Sequence, residues 1–343
     1  KINIGINGYG RIGRVLHRIV DKHEGLEVVS INDINPDINN LAYLANYDST
    51  YGPRETFLVP DEDQLQTSGR KIKVTHSQDI SEVEWEKNNV DVVIDSSGIL
   101  ENLNLARNLK GRVKNVIVTN SPSEKMVDKT VIYGVNHLSI DKKNDFLISS
   151  SICDATAFAP FAQLINNEYE ITEGFLTTLH PWLGYQNLLD GPSKSYAQPG
   201  KIYDDYVLGR SSIMSLIPKN TSAITATYKV LPELQDKFVA MSYRVPTSIV
   251  SSADATLKVS KNISIESLTE LLIDHEAQNP KIIKNNFDPL VSNDFIRSDY
   301  SVIIDHRFLT VSNGYIKCLS WYDNEWGYSS KVIDLVKYIN NPL

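Results

Sequence analysis

The chain has 343 residues, which is enough for two domains with complete cores. Hydrophobic residues make up 41% and charged residues 22% of the sequence, as is usual for a soluble globular protein. The formal net charge of −8 argues against nucleic acid or an anionic membrane as the main partner. No apolar run approaches the roughly 18 residues that cross a bilayer, so no membrane partner is expected.

The cysteine count and the N-terminus indicate the compartment. Two cysteines, Cys153 and Cys318, do not make a disulfide framework, so a reducing cytoplasm is the expected setting. The sequence starts directly on a strand-like segment, without Met and without a visible signal peptide. A trimmed cytoplasmic chain is therefore expected.

The first half alternates short apolar strands with helical patterns. Strand-like segments occur at 2–6, 27–33, 90–98, 115–120 and 145–150, and helical patterns at 11–21 and 101–109. Continuous apolar strands that alternate with helices are typical of parallel sheets covered on both faces. The sequence therefore predicts an α/β, Rossmann-type, doubly wound parallel sheet in an NAD-binding domain over 1–150.

The pattern changes from Thr172 onward. Longer strands rich in β-branched residues at 173–180, 237–245 and 254–260 predict a mostly antiparallel sheet. They indicate an α+β catalytic domain over 151–318, with a long surface loop at 187–211. An amphipathic helix at 326–339 closes the chain, and segment 319–343 is expected to return to the NAD-binding domain.

The stretch "INGYGRIGR" (6–14) carries a G-x-G-x-x-G pattern between a strand and a helix. Such glycines allow a tight turn, close approach of a pyrophosphate and close helix–strand packing, although the pattern alone is weak. An acid follows twenty residues later, where it would bind ribose hydroxyls and repel a 2′-phosphate, which favours NAD over NADP. The predicted cofactor-binding residues here are Gly8, Gly10, Arg11, Ile12, Gly13 and Asp33.

The stretch "SSSICDATAFAP" (149–160) places Cys153 at a predicted helix start. The helix dipole favours a thiolate there, whereas the neighbouring Asp154 carboxylate disfavours it. His180, at the end of a predicted strand, is a candidate partner, since a Cys–His pair activates a thiol without a metal. No metal site is expected. Cys318 fits a small buried hydrophobe.

Six motifs carry a family resemblance: "INGYGRIGR", "YDSTYG" (47–52), "IYGVNH" (132–137), "KVLPEL" (229–234), "YRVPT" (243–247) and "WYDNEWGYS" (321–329). Through them the chain resembles the glyceraldehyde-3-phosphate dehydrogenase family along nearly its whole length. The resemblance implies oxidation of an aldehyde by NAD through a Cys153 hemithioacetal and thioester, with His180 managing the proton. It also implies that Asn324 binds the nicotinamide amide, that Arg210 and Arg244 bind phosphate, and that the chain forms a homotetramer.

The family pattern breaks around the nucleophile. The family's Ser-Cys-Thr-Thr-Asn is replaced by residues 152–156, "ICDAT", so hydroxyls that help bind attacking phosphate are lost. Leu183 and Tyr185 replace polar residues after the histidine, and Thr221 with the following serine replaces the family's Thr-Gly phosphate turn. Asp154 is either a helix-start acid or part of a remodelled site in which water or another nucleophile accepts the acyl group.

These patterns predict an NAD-dependent aldehyde dehydrogenase for glyceraldehyde 3-phosphate or a related small aldehyde. Phosphate or another acceptor then releases the acyl group. A related semialdehyde or acyl-phosphate reductase stays open as an alternative, as does a catalytically altered family member with a binding role.

Overall fold

The computed structural model describes residues 1–341 of the chain. Pro342 and Leu343, the last two residues of the predicted segment 319–343, lie outside the described residues. Within the described range, no helix has the length and apolar character needed to cross a membrane. The chain divides into two compact units. The first comprises Lys1–Ser151 and the segment that begins at Ser329, and the second comprises Ile152–Tyr328.

The described residues of the first unit form nine strands and three complete helices. The strands are β1 (Ile2–Asn7), β2 (Leu26–Asn32), β3 (Val59–Asp61), β4 (Gln64–Thr67), β5 (Arg70–Thr75), β6 (Val92–Asp95), β7 (Asn115–Val118), β8 (Lys129–Thr130) and β9 (Leu147–Ser149). The helices are α1 (Arg11–Val20), α2 (Ile38–Asn46) and α3 (Glu101–Ala106).

The nine strands form one sheet in the order β3-β4-β5-β2-β1-β6-β7-β9-β8. The pairs from β5 to β8 are parallel, and only the β3-β4-β5 end is antiparallel. Every residue of β6 and of β7 is buried, because both faces of a parallel sheet are covered. A cluster around Trp85 forms part of the core beneath these strands.

The second unit contains eight strands and three complete helices. The strands are β10 (Ile171–Pro181), β11 (Ile217–Lys219), β12 (Phe238–Val245), β13 (Ser251–Val259), β14 (Ile283–Asn286), β15 (Val302–Asp305), β16 (Thr310–Ser312) and β17 (Tyr315–Tyr322). The helices are α4 (Cys153–Tyr169), α5 (Ala223–Tyr228) and α6 (Ile265–Gln278). Helix α7 (Trp326–Asn340) begins here and continues in the first unit.

This second sheet is mostly antiparallel, in the order β11-β12-β10-β13-β17-β15-β14 with β16 paired to β17. Burial alternates along β13 and β17, as expected for strands with one face on a core. Strands β10 and β12 are parallel, and both β10 and β17 run antiparallel to β13. The carboxyl ends of β10, β12 and β17 therefore meet at one edge of the sheet.

The predicted fold class is confirmed, but the sequence analysis missed several elements, including the 14-residue helix α6 and the 8-residue strand β17. Strands β3 to β5 and helix α2 were not predicted. The dipeptide Ser68-Gly69, which joins β4 to β5 in a two-residue turn, was a hairpin signal in the sequence. Asn313-Gly314 makes the same kind of turn between β16 and β17, with φ of 50° and 75°. Positive φ at both central residues gives a turn whose twist matches the paired strands, and Asn-Gly tolerates it best. The predicted loop over 187–211 carries a short 3-10 turn at Tyr206–Gly209 and an isolated β-bridge between Lys194 and Ile202.

Candidate active site

Cys153 is the first residue of α4, and the backbone before it has an uncommon conformation. Ile152 is extended and makes no side-chain capping bond, and Ser151 has a φ of 61°. A non-glycine residue in this left-handed region is uncommon and costs free energy, which marks the turn as constrained. The helix packs against β10, β13 and β15 of the second sheet.

His180 lies one residue before the end of β10, with its ring buried. Its Nε2 is 3.7 Å from Cys153 Sγ, and its Nδ1 is 2.7 Å from the carbonyl oxygen of Pro181. Only a protonated Nδ1 can donate to that carbonyl, so the lone pair of the neutral ring is on Nε2 and faces the sulfur. The histidine is therefore oriented as a proton acceptor for the thiol.

Asp154 points into the same cluster. Its Oδ1 lies 3.6 Å from Cys153 Sγ, with the thiol as donor, and accepts a 2.6 Å hydrogen bond from the hydroxyl of Tyr322. Both Asp154 and Tyr322 are buried. The carboxylate thus faces the sulfur, and its position is set by a side chain 168 residues away.

The electrostatics of this cluster favour a neutral thiol in the resting chain. Burial, and then the Asp154 carboxylate, raise the pKa of Cys153 well above its ordinary value, while the Arg244 guanidinium acts in the opposite direction. Burial also lowers the pKa of His180, which the Asp154 charge partly offsets. Burial and the neighbouring carboxylate thus oppose the expected effect of the helix start on the pKa of the Cys153 thiol.

Arg244 supplies a buried positive charge beside the histidine. It pairs in register with His180 on the parallel strands β10 and β12. Its Nη2 is 3.5 Å from the hydroxyl of Tyr185, while its buried Nε has no hydrogen-bond partner within residues 1–341. A buried donor without a partner is costly, so this guanidinium is suited to an anion.

Two other predicted phosphate residues, Arg210 and Thr221, form no hydrogen bond or ion pair with this cluster in the described range. The side chain of Arg210 is largely exposed, and its Nε donates to Asp190 at 2.8 Å. The same carboxylate accepts from the backbone of Ser211. Thr221 Oγ1 accepts from the backbone N–H of Ala223, at the start of α5. Their roles stay predictions.

The glycine turn of the first unit has the geometry that a dinucleotide needs. Gly8 has a φ of 86°, and a Cβ there would meet the Ser97 backbone at 2.6 Å. A Cβ on Gly13 would lie 2.3 Å from the Gly8 carbonyl oxygen, whereas a Cβ on Gly10 would meet nothing within 4 Å. Helix α1 thus packs tightly on the turn while its first turn stays open to a ligand.

The flanking cofactor candidates are also held in place. The carboxylate of Asp33 accepts hydrogen bonds from the backbone of Tyr9 and Asn35, at 2.7 and 2.8 Å, so it lies against the glycine turn. Arg11, the first residue of α1, forms an ion pair with Asp48. Its neighbour Ile12 is half-buried in the same helical turn.

Asn324 follows β17 in the second unit and is buried. Its side-chain Oδ1 has no hydrogen-bond partner among the described residues. A buried carbonyl oxygen without a donor fits a ligand that carries an amide N–H, such as a carboxamide.

Tyr322 and Tyr185 are the contacts that sequence reasoning missed. Tyr322 lies inside the motif at 321–329, and Tyr185 replaces a polar residue of the family pattern. No spacing rule links Tyr322 to Asp154 or Tyr185 to Arg244, because both contacts form between distant segments. Only the assembled sheet edge brings these side chains together.

A nucleotide-binding parallel sheet and a second unit with a Cys–His pair define the class: a two-domain, NAD-dependent oxidoreductase. Two family models match the chain. They describe the glyceraldehyde 3-phosphate dehydrogenase NAD binding domain, over residues 2–103, and C-terminal domain, over residues 152–324. The chain belongs to the glyceraldehyde-3-phosphate dehydrogenase family. The predicted family, NAD as cofactor and the enzyme class are confirmed.

Individual relatives align over nearly the whole chain. A chloroplastic glyceraldehyde-3-phosphate dehydrogenase of Arabidopsis thaliana is 36% identical over 344 residues, which cover 99% of this chain and 78% of the relative. A glyceraldehyde-3-phosphate dehydrogenase of Caenorhabditis briggsae is 36% identical over an alignment that covers 99% of this chain and 98% of the relative. The glyceraldehyde-3-phosphate dehydrogenase of Colletotrichum lindemuthianum is 34% identical over an alignment that covers 98% of this chain and 97% of the relative.

Proposed function

We propose that the protein oxidises a small aldehyde with NAD through a covalent bond to Cys153. The substrate is glyceraldehyde 3-phosphate, the aldehyde in the relatives' names, or a related aldehyde. The observation that carries the proposal is the pairing of Cys153 Sγ with the unprotonated Nε2 of His180 at 3.7 Å. The orientation of His180, fixed by the Pro181 carbonyl, provides the base that a neutral thiol needs.

The first chemical step forms a bond between Cys153 Sγ and the aldehyde carbon. The thiol proton moves to Nε2 of His180, which passes it to the carbonyl oxygen as the hemithioacetal forms, so the ring is neutral again. His180 then withdraws that hydroxyl proton while the carbon loses its hydride. Bound NAD supplies the hydride acceptor for this oxidation. A thioester at Cys153 remains.

Arg244 is proposed to bind the anionic end of the substrate. Its unpartnered Nε and its position beside His180 support this role. Arg210 and Thr221 are proposed to contact phosphate as well. Because Arg210 is exposed and already paired with Asp190, its contribution should be the smaller one.

The cofactor residues are proposed from the fit of the turn. Gly8, Gly10 and Gly13 admit the pyrophosphate, and the backbone of Arg11 and Ile12 faces it at the helix start. Asp33 binds the adenosine ribose, and Asn324 accepts from the nicotinamide amide.

A binding experiment tests the role of Asp33. Titration of wild-type protein and of Asp33→Ala with NAD and NADP, at matched salt, should show a preference for NAD that narrows in the variant. Equal or tighter binding of NADP to the wild type would reject the assignment of Asp33 to the ribose.

Oligomeric state and compartment are further proposals. We expect a homotetramer in the cytoplasm. Exposed large hydrophobic side chains in segment 188–216, among them Leu189, Tyr206 and Met214, support self-association. Both cysteines are free, and a nucleophilic thiol requires reducing conditions, which supports the cytoplasm.

The activity is tested by NADH formation with glyceraldehyde 3-phosphate, glyceraldehyde and neutral aldehydes such as propanal. Wild-type protein should form NADH with at least one of them. Cys153→Ser should lose this activity while its affinity for NAD changes little, and Cys318→Ser serves as the matched control. Undiminished turnover in Cys153→Ser would reject the covalent mechanism.

A further inference from the structure

Oδ2 of the Asp154 carboxylate is available to accept a hydrogen bond beside the nucleophile, because the bonds described below are accepted by Oδ1. The hydrogen bonds described for this side chain are both made by Oδ1, one from the Tyr322 hydroxyl and one from the Cys153 thiol. Once the sulfur is acylated it carries no proton, so the second of these bonds is lost. The carboxylate then lies next to the thioester, with the Tyr322 hydroxyl as its remaining donor on Oδ1.

We propose, resting on the proposed aldehyde oxidation, that Asp154 is the general base for attack of water on the Cys153 thioester. The protein therefore releases a free carboxylic acid. Tyr322 is a positioning residue, because its hydroxyl fixes Oδ1 and leaves Oδ2 to hold the water.

The step balances without a further reagent. Asp154 takes one proton from water as the water oxygen bonds to the acyl carbon. The carbon–sulfur bond then breaks, its electron pair stays on sulfur, and a proton from Asp154 or His180 restores the thiol. Overall, an aldehyde, NAD⁺ and water give a carboxylate, NADH and two protons.

The charges around the sulfur favour neutral water over inorganic phosphate. The carboxylate lies 3.6 Å from the sulfur and repels a second anion at the acyl carbon. Within residues 1–341, Arg244 is the buried guanidinium that acts on Cys153, and an anionic substrate already needs it. Arg210, the other predicted phosphate residue, is paired with Asp190 at the surface.

The experiment follows NADH and product with glyceraldehyde 3-phosphate and glyceraldehyde as probes. Steady-state NADH formation should proceed without phosphate and change less than 2-fold between 0 and 50 mM phosphate at constant ionic strength. In H₂¹⁸O the carboxylate product should carry one solvent oxygen. Turnover that requires phosphate and yields an acyl phosphate would overturn the inference and leave the proposed function standing. Failure of every aldehyde to give even one NADH per site would instead remove the proposed function.

Variants distinguish a general-base role of Asp154 from a purely structural role. Asp154→Asn should retain a burst of one NADH per site and lose about 100-fold in the steady state. Hydroxylamine, which attacks a thioester without a base, should restore its turnover and give a hydroxamate. Tyr322→Phe should lower the steady-state rate and leave the burst rate unchanged. The control Asp254→Asn removes an exposed carboxylate paired with Lys317 and should change neither phase. Equal steady-state rates in Asp154→Asn and wild type would overturn the inference.

Discussion

Replacement of Asp154 by threonine should convert the protein to phosphate-dependent turnover. The carboxylate lies 3.6 Å from Cys153 Sγ, and a phosphate poised on the acyl carbon would have its phosphorus roughly 5 Å from that carboxylate. At an effective dielectric near 20, two unit charges at this distance repel by about 3 kcal/mol. Removal of that repulsion raises phosphate affinity on the order of 100-fold, and the new hydroxyl adds a donor.

The assay is the initial rate of NADH formation against phosphate from 0 to 100 mM, at constant ionic strength. Wild-type protein should show little dependence, and Asp154→Thr should show a saturable, phosphate-dependent rate with acyl phosphate as product. Asp254→Thr is the control for a change of charge elsewhere in the second unit. Saturation of the wild type below 1 mM phosphate, with no change in Asp154→Thr, would refute the electrostatic reasoning.

Three further predictions follow from the local geometry. Because burial and a neighbouring carboxylate raise the pKa of Cys153, its alkylation by iodoacetamide should keep accelerating as pH rises past the ordinary range of a cysteine thiol; a plateau near pH 7 would contradict this. Gly13→Ala should lower the free energy of unfolding by roughly 1–3 kcal/mol in a thermal or urea titration, since its Cβ would lie 2.3 Å from a backbone oxygen. Gly10→Ala should leave the free energy of unfolding unchanged but weaken NAD binding. Equal losses of stability in Gly13→Ala and Gly10→Ala would contradict the prediction that only Gly13 is tightly packed. Arg244→Gln should raise KM for a phosphorylated aldehyde at least 10-fold more than Arg210→Gln does, because only the first guanidinium is buried beside the histidine. The reverse ranking of KM values would contradict that assignment.

Sequence reasoning predicted the fold class because its signals are local. Apolar runs such as β6 and β7, and the glycines between β1 and α1, each specify their own structure within a few residues. Strands β3 to β5 are short and mostly polar, so their hydrophobic pattern was too weak to predict them.

The site was predictable only in part. The residue types of Cys153 and His180, at a predicted helix start and strand end, indicated a nucleophile and a base, and in the structure Cys153 Sγ lies 3.7 Å from His180 Nε2. The direction of the Asp154 side chain was left open, because the rotamer depends on Tyr322, far away in sequence. The surface pairing of Arg210 likewise depends on how the loop over 187–211 folds back on itself.

The most direct test of the central claim is the identification of the acylated residue during turnover. Wild-type protein is mixed with NAD and a productive aldehyde, quenched in acid within the burst, digested and analysed by mass spectrometry. The acyl mass should appear on the peptide that contains Cys153, at one equivalent per NADH formed in the burst. A full NADH burst with Cys153 unmodified, or with the acyl group on Cys318, would contradict the account.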